Sequence, residues 1–163
     1  MCSSNISMME TPKECFSFKS STPYPCRICH IYDGDTVHAV IPYKGDLVRI
    51  ICRLNGIDAP EMVESSRVEA LRSRNRLVQL VTDCPITLDT QLGSKTREFN
   101  DLISSNKRII SVWILGRDKY GRELAELIDE YNNSVNHIML FEGFTKHYGS
   151  KNTAIYENID SNS

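Results

Sequence analysis

The chain has 163 residues, 40% of them hydrophobic and 25% charged, a globular balance that predicts one domain with a sizeable core. No apolar run approaches the roughly 18 residues of a membrane helix, which excludes a spanning segment of that kind. The net charge of −2 argues against tight, non-specific coating of DNA.

Residues 1–23 are polar and Ser-rich, carry acids and lack an apolar stretch of the secretory type, which predicts a flexible arm on an intracellular protein. Six cysteines without an export signal are expected to be reduced thiols. Cys26-Arg27-Ile28-Cys29-His30 matches the haem-attachment pattern, and its C-x-x-C is also half of a zinc site. Haem attachment needs export, and zinc needs a second Cys/His pair at close spacing. Neither is visible, so cysteines on a strand is the preferred reading, with no haem or zinc expected at Cys26 and Cys29.

Arg27 to Tyr32 reads as the first strand, with Ile28, Cys29 and Ile31 apolar. Asp33-Gly34-Asp35-Thr36 follows as a tight turn that Asp33 can cap. Val37 to Tyr43 is the second strand, Lys44-Gly45-Asp46 a hairpin turn, and Leu47 to Leu54 the third strand. Two consecutive hairpins make an antiparallel meander, so residues 33–36 and 58–61 are expected to meet at one end of the sheet. A helix follows, with Ser65 or Ser66 as its cap, a capping box to Glu69, and an apolar stripe through Val68, Leu71, Asn75, Val78 and Leu80 or Val81. Arg67, Arg72, Arg74 and Arg76 fall mostly off that stripe, as a solvated face or a nucleic-acid contact.

Cys84-Pro85 breaks the helix, and Ile86 to Leu92 reads as a short strand. Lys95 to Asn106 is expected to form a short surface helix on an insertion, with Phe99, Leu102 and Ile103 inward. Arg108 to Leu115 is the strongest β segment and holds the only Trp. A charged loop, 116–122, leads into Glu123 to Asp129, strand or helix by pattern, with the loop favouring a hairpin. Ser134 to Phe141 has helical spacing, ended by Gly143. Beyond Tyr148 the chain is Asn- and Ser-rich and reads as a flexible tail, 149–163. Charge is uneven along this order: residues 95–122 carry 7 basic and 3 acidic side chains, while residues 123–163 carry 2 and 7. The middle block can steer a polyanion locally.

About five strands with interspersed helices fit a mainly β (α+β) fold, a five-stranded OB-type β-barrel with two to three packed helices, with an open α+β sheet as the alternative. Three islands stand out: D-G-D-T at 33–36, R-L-N-G-I-D-A-P-E at 53–61 and D-K-Y-G-R at 118–122. Asp35 and Asp58 are short carboxylates on turns and suit a hard cation. Glu61, just beyond, can reach a water and act as general base. Arg53 and Arg122 offer planar forks matched to phosphate oxygens. Lys119 and Tyr120 offer a charge for a neighbouring phosphate and a ring for a base. Taken singly, D-G-D-T is commonly just a turn and an Arg near a hairpin is usually solvated.

In this order the islands resemble the staphylococcal nuclease (thermonuclease) family, from about residue 24 to residue 148. The resemblance implies a five-stranded OB-type barrel with helices. It places a catalytic trio on Arg53, Glu61 and Arg122, and calcium ligands on Asp35, Asp58 and the backbone carbonyl of Ala59. Lys119 and Tyr120 become substrate-binding residues, with Thr36 and Tyr148 taken beside them. Val135-Asn136 with Leu140 to Gly143 resembles a family helix and turn. The implied activity is calcium-dependent cleavage of DNA and RNA with little sequence preference, leaving 3′-phosphate ends, by a monomer. The alternative is a non-catalytic binding module of the same fold, for nucleic acid or protein. Two departures accompany the resemblance: a longer link at about 84–106, and little chain left after Tyr148 for a C-terminal helix.

Overall fold

Apolar and polar residues alternate along most of the long strands, and the inward set builds one core. The computed structural model describes residues 17–149. In chain order it contains β1 (Tyr24–Ile31), β2 (Thr36–Tyr43), β3 (Asp46–Leu54), β4 (Ile57–Asp58), a 3-10 turn (Glu64–Ser66) and α1 (Arg67–Val81). Next come α2 (Arg97–Ser104), β5 (Ile110–Arg117), β6 (Glu123–Ile128), α3 (Val135–Phe141) and β7 (Lys146–His147). Five strands close a barrel in the order β1-β2-β3-β6-β5, with β5 returning to β1. The β3–β6 pairing is parallel and the rest are antiparallel. This is the OB-type α+β barrel, with three helices packed around it.

Val37, Ala39 and Ile41 of β2, Ile50, Cys52 and Leu54 of β3, and Ile110, Val112 and Ile114 of β5 all point inward at a spacing of two. β1 does not keep that spacing: Cys26, Ile28 and then Ile31 are buried. The register slips between Ile28 and His30, so a bulge at Cys29 turns the later residues over and brings Ile31 inward. The β2–β3 turn fits its sequence, since Lys44 (φ 48°) and Gly45 (φ 85°) both take the left-handed conformation that a two-residue hairpin demands. Glu123–Ile128 is a strand, the hairpin partner of β5. The β4–β7 pair forms a separate two-stranded sheet.

Several sequence expectations need correction. Ser66 caps nothing: its Oγ donates to the Glu61 carbonyl (2.7 Å), and the capping box is absent. The buried stripe of α1 begins at Ala70, because its first turn continues a 3-10 turn with no buried residue, and Val68 is 67% exposed. Residues 86–92 form no strand. Their carbonyls are claimed by α1 side chains instead: Gln79 Nε2 donates to Ile86 O, and Asn75 Nδ2 to Leu88 O and Thr90 O. Arg74 is not on a solvated face but completely buried. Its guanidinium lies 4.1 Å from the Phe99 ring and donates to Asn75 Oδ1 (2.7 Å) and Ser94 Oγ (3.0 Å).

The short helix expected over 95–106 forms as α2 with Phe99 and Ile103 inward, as expected, and it is tied closely to the barrel. α2 packs on β1, with Phe99 and Ile103 fully buried, and Asn106 Nδ2 donates to Ile28 O. Residues 17–23, grouped with a flexible arm, are also packed. Phe18 is buried with its ring edge-on to Tyr43, and Ser20 O accepts from Trp113 Nε1 (2.9 Å). The rest of the arm and the tail from residue 150 lie outside the described residues, as do Cys2 and Cys15. Cys26, Cys29, Cys52 and Cys84 are free thiols; Cys26 sits in the barrel core, while Cys29 Sγ meets the His38 carbonyl. Among the described residues no helix is long and apolar enough to cross a membrane.

Phe99→Ala should therefore lower the unfolding free energy by about 3–5 kcal/mol, whereas Val68→Ala should change it by less than about 0.5 kcal/mol. Urea denaturation followed by Trp113 fluorescence measures both, and equal effects would contradict the core position of α2.

Candidate active site

β3 delivers Arg53 to the end of the barrel, and Gly56 (φ 80°) reverses the chain so that β4 brings Asp58 back towards it. The 33–36 turn arrives at the same end through the β2–β3 ladder, where Thr36 pairs with Arg53 and Leu54 N donates to Asp35 O (2.8 Å). Arg53 then ties the two together. Its Nη2 contacts Asp58 Oδ1 closely and Asp35 Oδ2 at 3.4 Å, while Nη1 donates to the carbonyls of Leu54 (2.9 Å) and Ile57 (2.7 Å). Two carboxylates reach one nitrogen, so they are close enough to share one cation.

Asp35 is buried and well tethered. Oδ2 accepts from Ala59 N (2.6 Å) and Oδ1 from Thr36 Oγ1 (2.9 Å). Asp33 caps its turn as expected, accepting from Asp35 N at 3.0 Å. Burial and the adjacent Asp35 charge push the Asp33 carboxyl up to about 7. The turn is also pressed against α1. A Cβ on Gly34 would stand 2.0 Å from Ser73 Oγ and 3.0 Å from Ala59 Cβ, so only glycine fits there.

The side chains of Asp35 and Asp58 offer oxygen donors only, the chemistry of a hard cation. The guanidinium nitrogen between them shows that the spot accepts positive charge. Two carboxylates begin a calcium shell and leave the rest to water and backbone, so the residues present fit that ion.

A cleft of about 340 Å³ opens beside this cluster, lined by Arg53, Lys119, Tyr120, Arg122 and Tyr148 among others. Gly121 (φ 83°) lets the loop turn, and Asp118 aims Arg122. Asp118 Oδ1 accepts from the backbone N–H of Tyr120 and of Arg122, and Oδ2 accepts from Arg122 Nε at 2.7 Å. Burial works to raise the Asp118 carboxyl, but the hydrogen bonds and charge of Arg122 outweigh it and hold it below the usual range. With Nε engaged, the two terminal nitrogens of Arg122 remain as the fork. Each arginine has a ring beside it: Arg122 lies 5.6 Å from the Tyr120 ring centroid, and Arg53 lies 5.9 Å from that of Tyr148. Both tyrosines are over 70% exposed, Tyr120 at 73% and Tyr148 at 72%. Tyr148 is tied down by its N–H to Gly56 O (2.9 Å), next to the β4–β7 pair.

The expected residues thus fall into two groups joined by Arg53. Asp35, Thr36, Asp58 and Ala59 form its hydrogen-bonded cluster, and Lys119, Tyr120, Arg122 and Tyr148 share the cleft with it. Glu61 belongs to neither. It is exposed on the turn three residues past Asp58, held through its carbonyl by Val63 N and Ser66 Oγ.

The family model described as staphylococcal nuclease homologue matches residues 51–161. The chain belongs to the staphylococcal nuclease homologue family. No curated protein matches the chain. The family match begins inside β3, so Asp35 and Thr36 lie before it and join the site through their hydrogen bonds.

Sequence spacing misses two positioning residues. Asp118 belongs to one of the charged islands, but its hold on Arg122 exists only once the loop has turned. Asn136 sits in an expected helix, yet it bridges three elements: Nδ2 donates to Asn55 O (3.1 Å) and Ala125 O (3.0 Å), and Oδ1 accepts from Leu127 N (3.1 Å). An Asn inside an apolar helical stretch is the one signal of this in the sequence.

Gly34→Ala should destabilise the fold by about 1–3 kcal/mol through overpacking. Adding Ser73→Ala, which removes the closest atom and an Oγ with no hydrogen-bond partner, should recover part of the loss. Thermal melts of the single and double variants decide this, and an unaffected Gly34→Ala would show that the turn does not press on α1.

Proposed function

We propose that this protein is a calcium-dependent nuclease that hydrolyses phosphodiester bonds of DNA and RNA with little sequence specificity, leaving 3′-phosphate ends. The observation carrying this reading is that Arg53 belongs to both groups, at once the partner of two carboxylates and a wall of the cleft that holds Arg122. A phosphate lying between the guanidinium groups would abut a cation site on one side and two exposed rings on the other.

Bound calcium, held by Asp35, Asp58 and the Ala59 carbonyl, would supply Lewis acidity to a phosphoryl oxygen and lower the pKa of a water. Glu61, exposed three residues past Asp58, would take the proton of the attacking water as general base once substrate brings that water to it. Negative charge grows on the non-bridging oxygens as the water adds to phosphorus, and it falls again as the P–O5′ bond breaks and the 5′-oxygen leaves, taking a proton from solvent. Arg122, fixed through Nε by Asp118, offers its two remaining donors to that charge, and Arg53 supplies a second preorganised positive charge at the cleft base. Lys119 meets the neighbouring phosphate, and Tyr120 and Tyr148 present faces on which a base or sugar can stack. Thr36 acts at one remove, fixing Asp35 Oδ1.

A plasmid-nicking assay in calcium against chelator tests the reading. Activity is expected in calcium, lost on chelation and poorly restored by magnesium, which demands stricter geometry. Arg122→Lys keeps the charge and loses the fork, so kcat should fall by about 10²-fold or more while oligonucleotide affinity falls much less. Glu61→Gln should lose a comparable factor by removing the base. Arg122→Lys cleaving at wild-type speed would overturn the assignment, and tight binding without turnover by the wild type would leave the binding-module reading.

A further inference from the structure

A second cleft, about 400 Å³, opens away from Lys119 and Tyr120, where the loop preceding α2 meets the start of α1. Its walls include Tyr32, Met62, Arg67, Ser94 and Lys95, and no acidic side chain lines it. Tyr32 precedes the Asp33 turn and Met62 follows Glu61, so the cleft adjoins the carboxylate side of the site.

Its electrostatics are one-sided. Among the described residues Arg67 and Lys95 make no ion pair, and both are exposed. Behind them lies Arg74, completely buried, whose acceptors Asn75 Oδ1 and Ser94 Oγ are both neutral. A buried guanidinium without a carboxylate is costly, and Arg67 adds to the cost. Burial first, then the Arg67 charge, pushes Arg74 down to about 10, still protonated at neutral pH. Ser94 transmits this outward. Its Oγ accepts from Arg74 Nη1, so the hydroxyl keeps its own hydrogen for a further acceptor, and Ser94 is part of the cleft wall. Two exposed positive charges, Arg67 and Lys95, and a hydroxyl bonded to a third, buried one line a cleft that has no acidic side chain in its walls. An anion completes that arrangement.

We propose that this cleft is a phosphate subsite, in which Arg67, Lys95 and the Ser94 hydroxyl hold a backbone phosphate of a polynucleotide beyond the reacting bond, on the Glu61 side. The proposal rests on the nuclease reading for its ligand, since a strand crossing the first cleft and passing Glu61 comes next to Met62 and Arg67. Tyr32 offers a partly exposed ring there for the adjoining base. The subsite also explains why the chain holds residues 86–96 so firmly with Arg74, Asn75 and Gln79: they fix the far wall of the groove.

The test compares wild type with Arg67→Ala/Lys95→Ala, two exposed positions outside the catalytic cluster, with circular dichroism to confirm the fold. On long single-stranded DNA the variant should raise KM roughly five- to tenfold with kcat within about twofold. The slope of log KM against log salt should shrink by about 0.7, the value for one backbone phosphate that the protein no longer neutralises. Hydrolysis of a nitrophenyl ester of a mononucleotide, too short to reach the subsite, should be unchanged. An unaltered KM and salt slope in an active, folded variant would overturn the proposal, as would equal losses on the polymer and the small ester. Anisotropy of a labelled oligonucleotide gives a readout that needs no turnover. An inactive wild type would sink the nuclease reading, while weakened oligonucleotide binding by the variant would still support the subsite and equal binding would refute it. Inorganic phosphate separates the sources. If phosphate alone shifts the Arg74 Nε–H resonance and the variant binds the oligonucleotide like wild type, the cleft holds a free anion and the polynucleotide proposal fails.

Discussion

One guanidinium holds the site together. Asp35 and Asp58 come from different hairpins, and bringing two carboxylates into one small space is repulsive unless a positive charge stands between them. Arg53 Nη2 is that charge, and its Nη1 closes the turn by taking the carbonyls of Leu54 and Ile57. The same side chain forms part of the cleft wall. Remove it and the turn loses two carbonyl partners, the carboxylates lose their counter-charge and the cleft loses its base. The surrounding backbone is arranged to keep Arg53 in place: Leu54 N bonds Asp35 O, Asn55 N bonds Ala125 O, and Asn136 clamps Asn55 and Ala125 together.

The charged islands are legible in the sequence because their residue types are unusual for turns, and the meander predicts that 33–36 and 58–61 share an end. The same strand pattern fits either a barrel or an open sheet, and the β3–β6 and β5–β1 pairings close it. What escapes the sequence depends on partners far away along the chain. Arg74 reads as a surface residue because a charge on a periodic helix usually is one, and Phe99, Asn75 and Ser94 make its burial tolerable. Residues 86–92 look like a strand by composition, but a strand needs a ladder. Asn75 and Gln79 take the carbonyls first. Ser66 looks like a cap until the Glu61 carbonyl competes for its hydroxyl. Each error is a local preference overruled by a hydrogen-bond partner that sequence spacing does not reveal.

The α1–α2 link shows the same physics at larger scale. Polar side chains on α1 replace the missing sheet partners of residues 86–96, and α2 then buries Phe99 and Ile103 against β1. A stretch that looks like an addition to the barrel is held by the barrel's own helix on one side and its first strand on the other. Its polar interior, centred on Arg74, makes it rigid in a way an apolar contact would not, because each donor and acceptor fixes a direction as well as a distance.

The pairing of β4 with β7 sets a schedule for the growing chain. Asp58 aligns with Lys146 and Ile57 with His147, and Tyr148 reaches back to Gly56. β3 waits for β6 as its parallel partner, and β1 waits for β5 to close the barrel. A ribosome adds about 5–20 residues each second, so the segment from Arg53 to Asp58 emerges several seconds before the residues that aim it. During that interval the carboxylates and arginines exist as sequence but not as a site. A chain interrupted before residue 146 carries nearly all the charged groups and lacks the strand that staples their turn, so the cluster takes its final shape only with the last stretch of the fold.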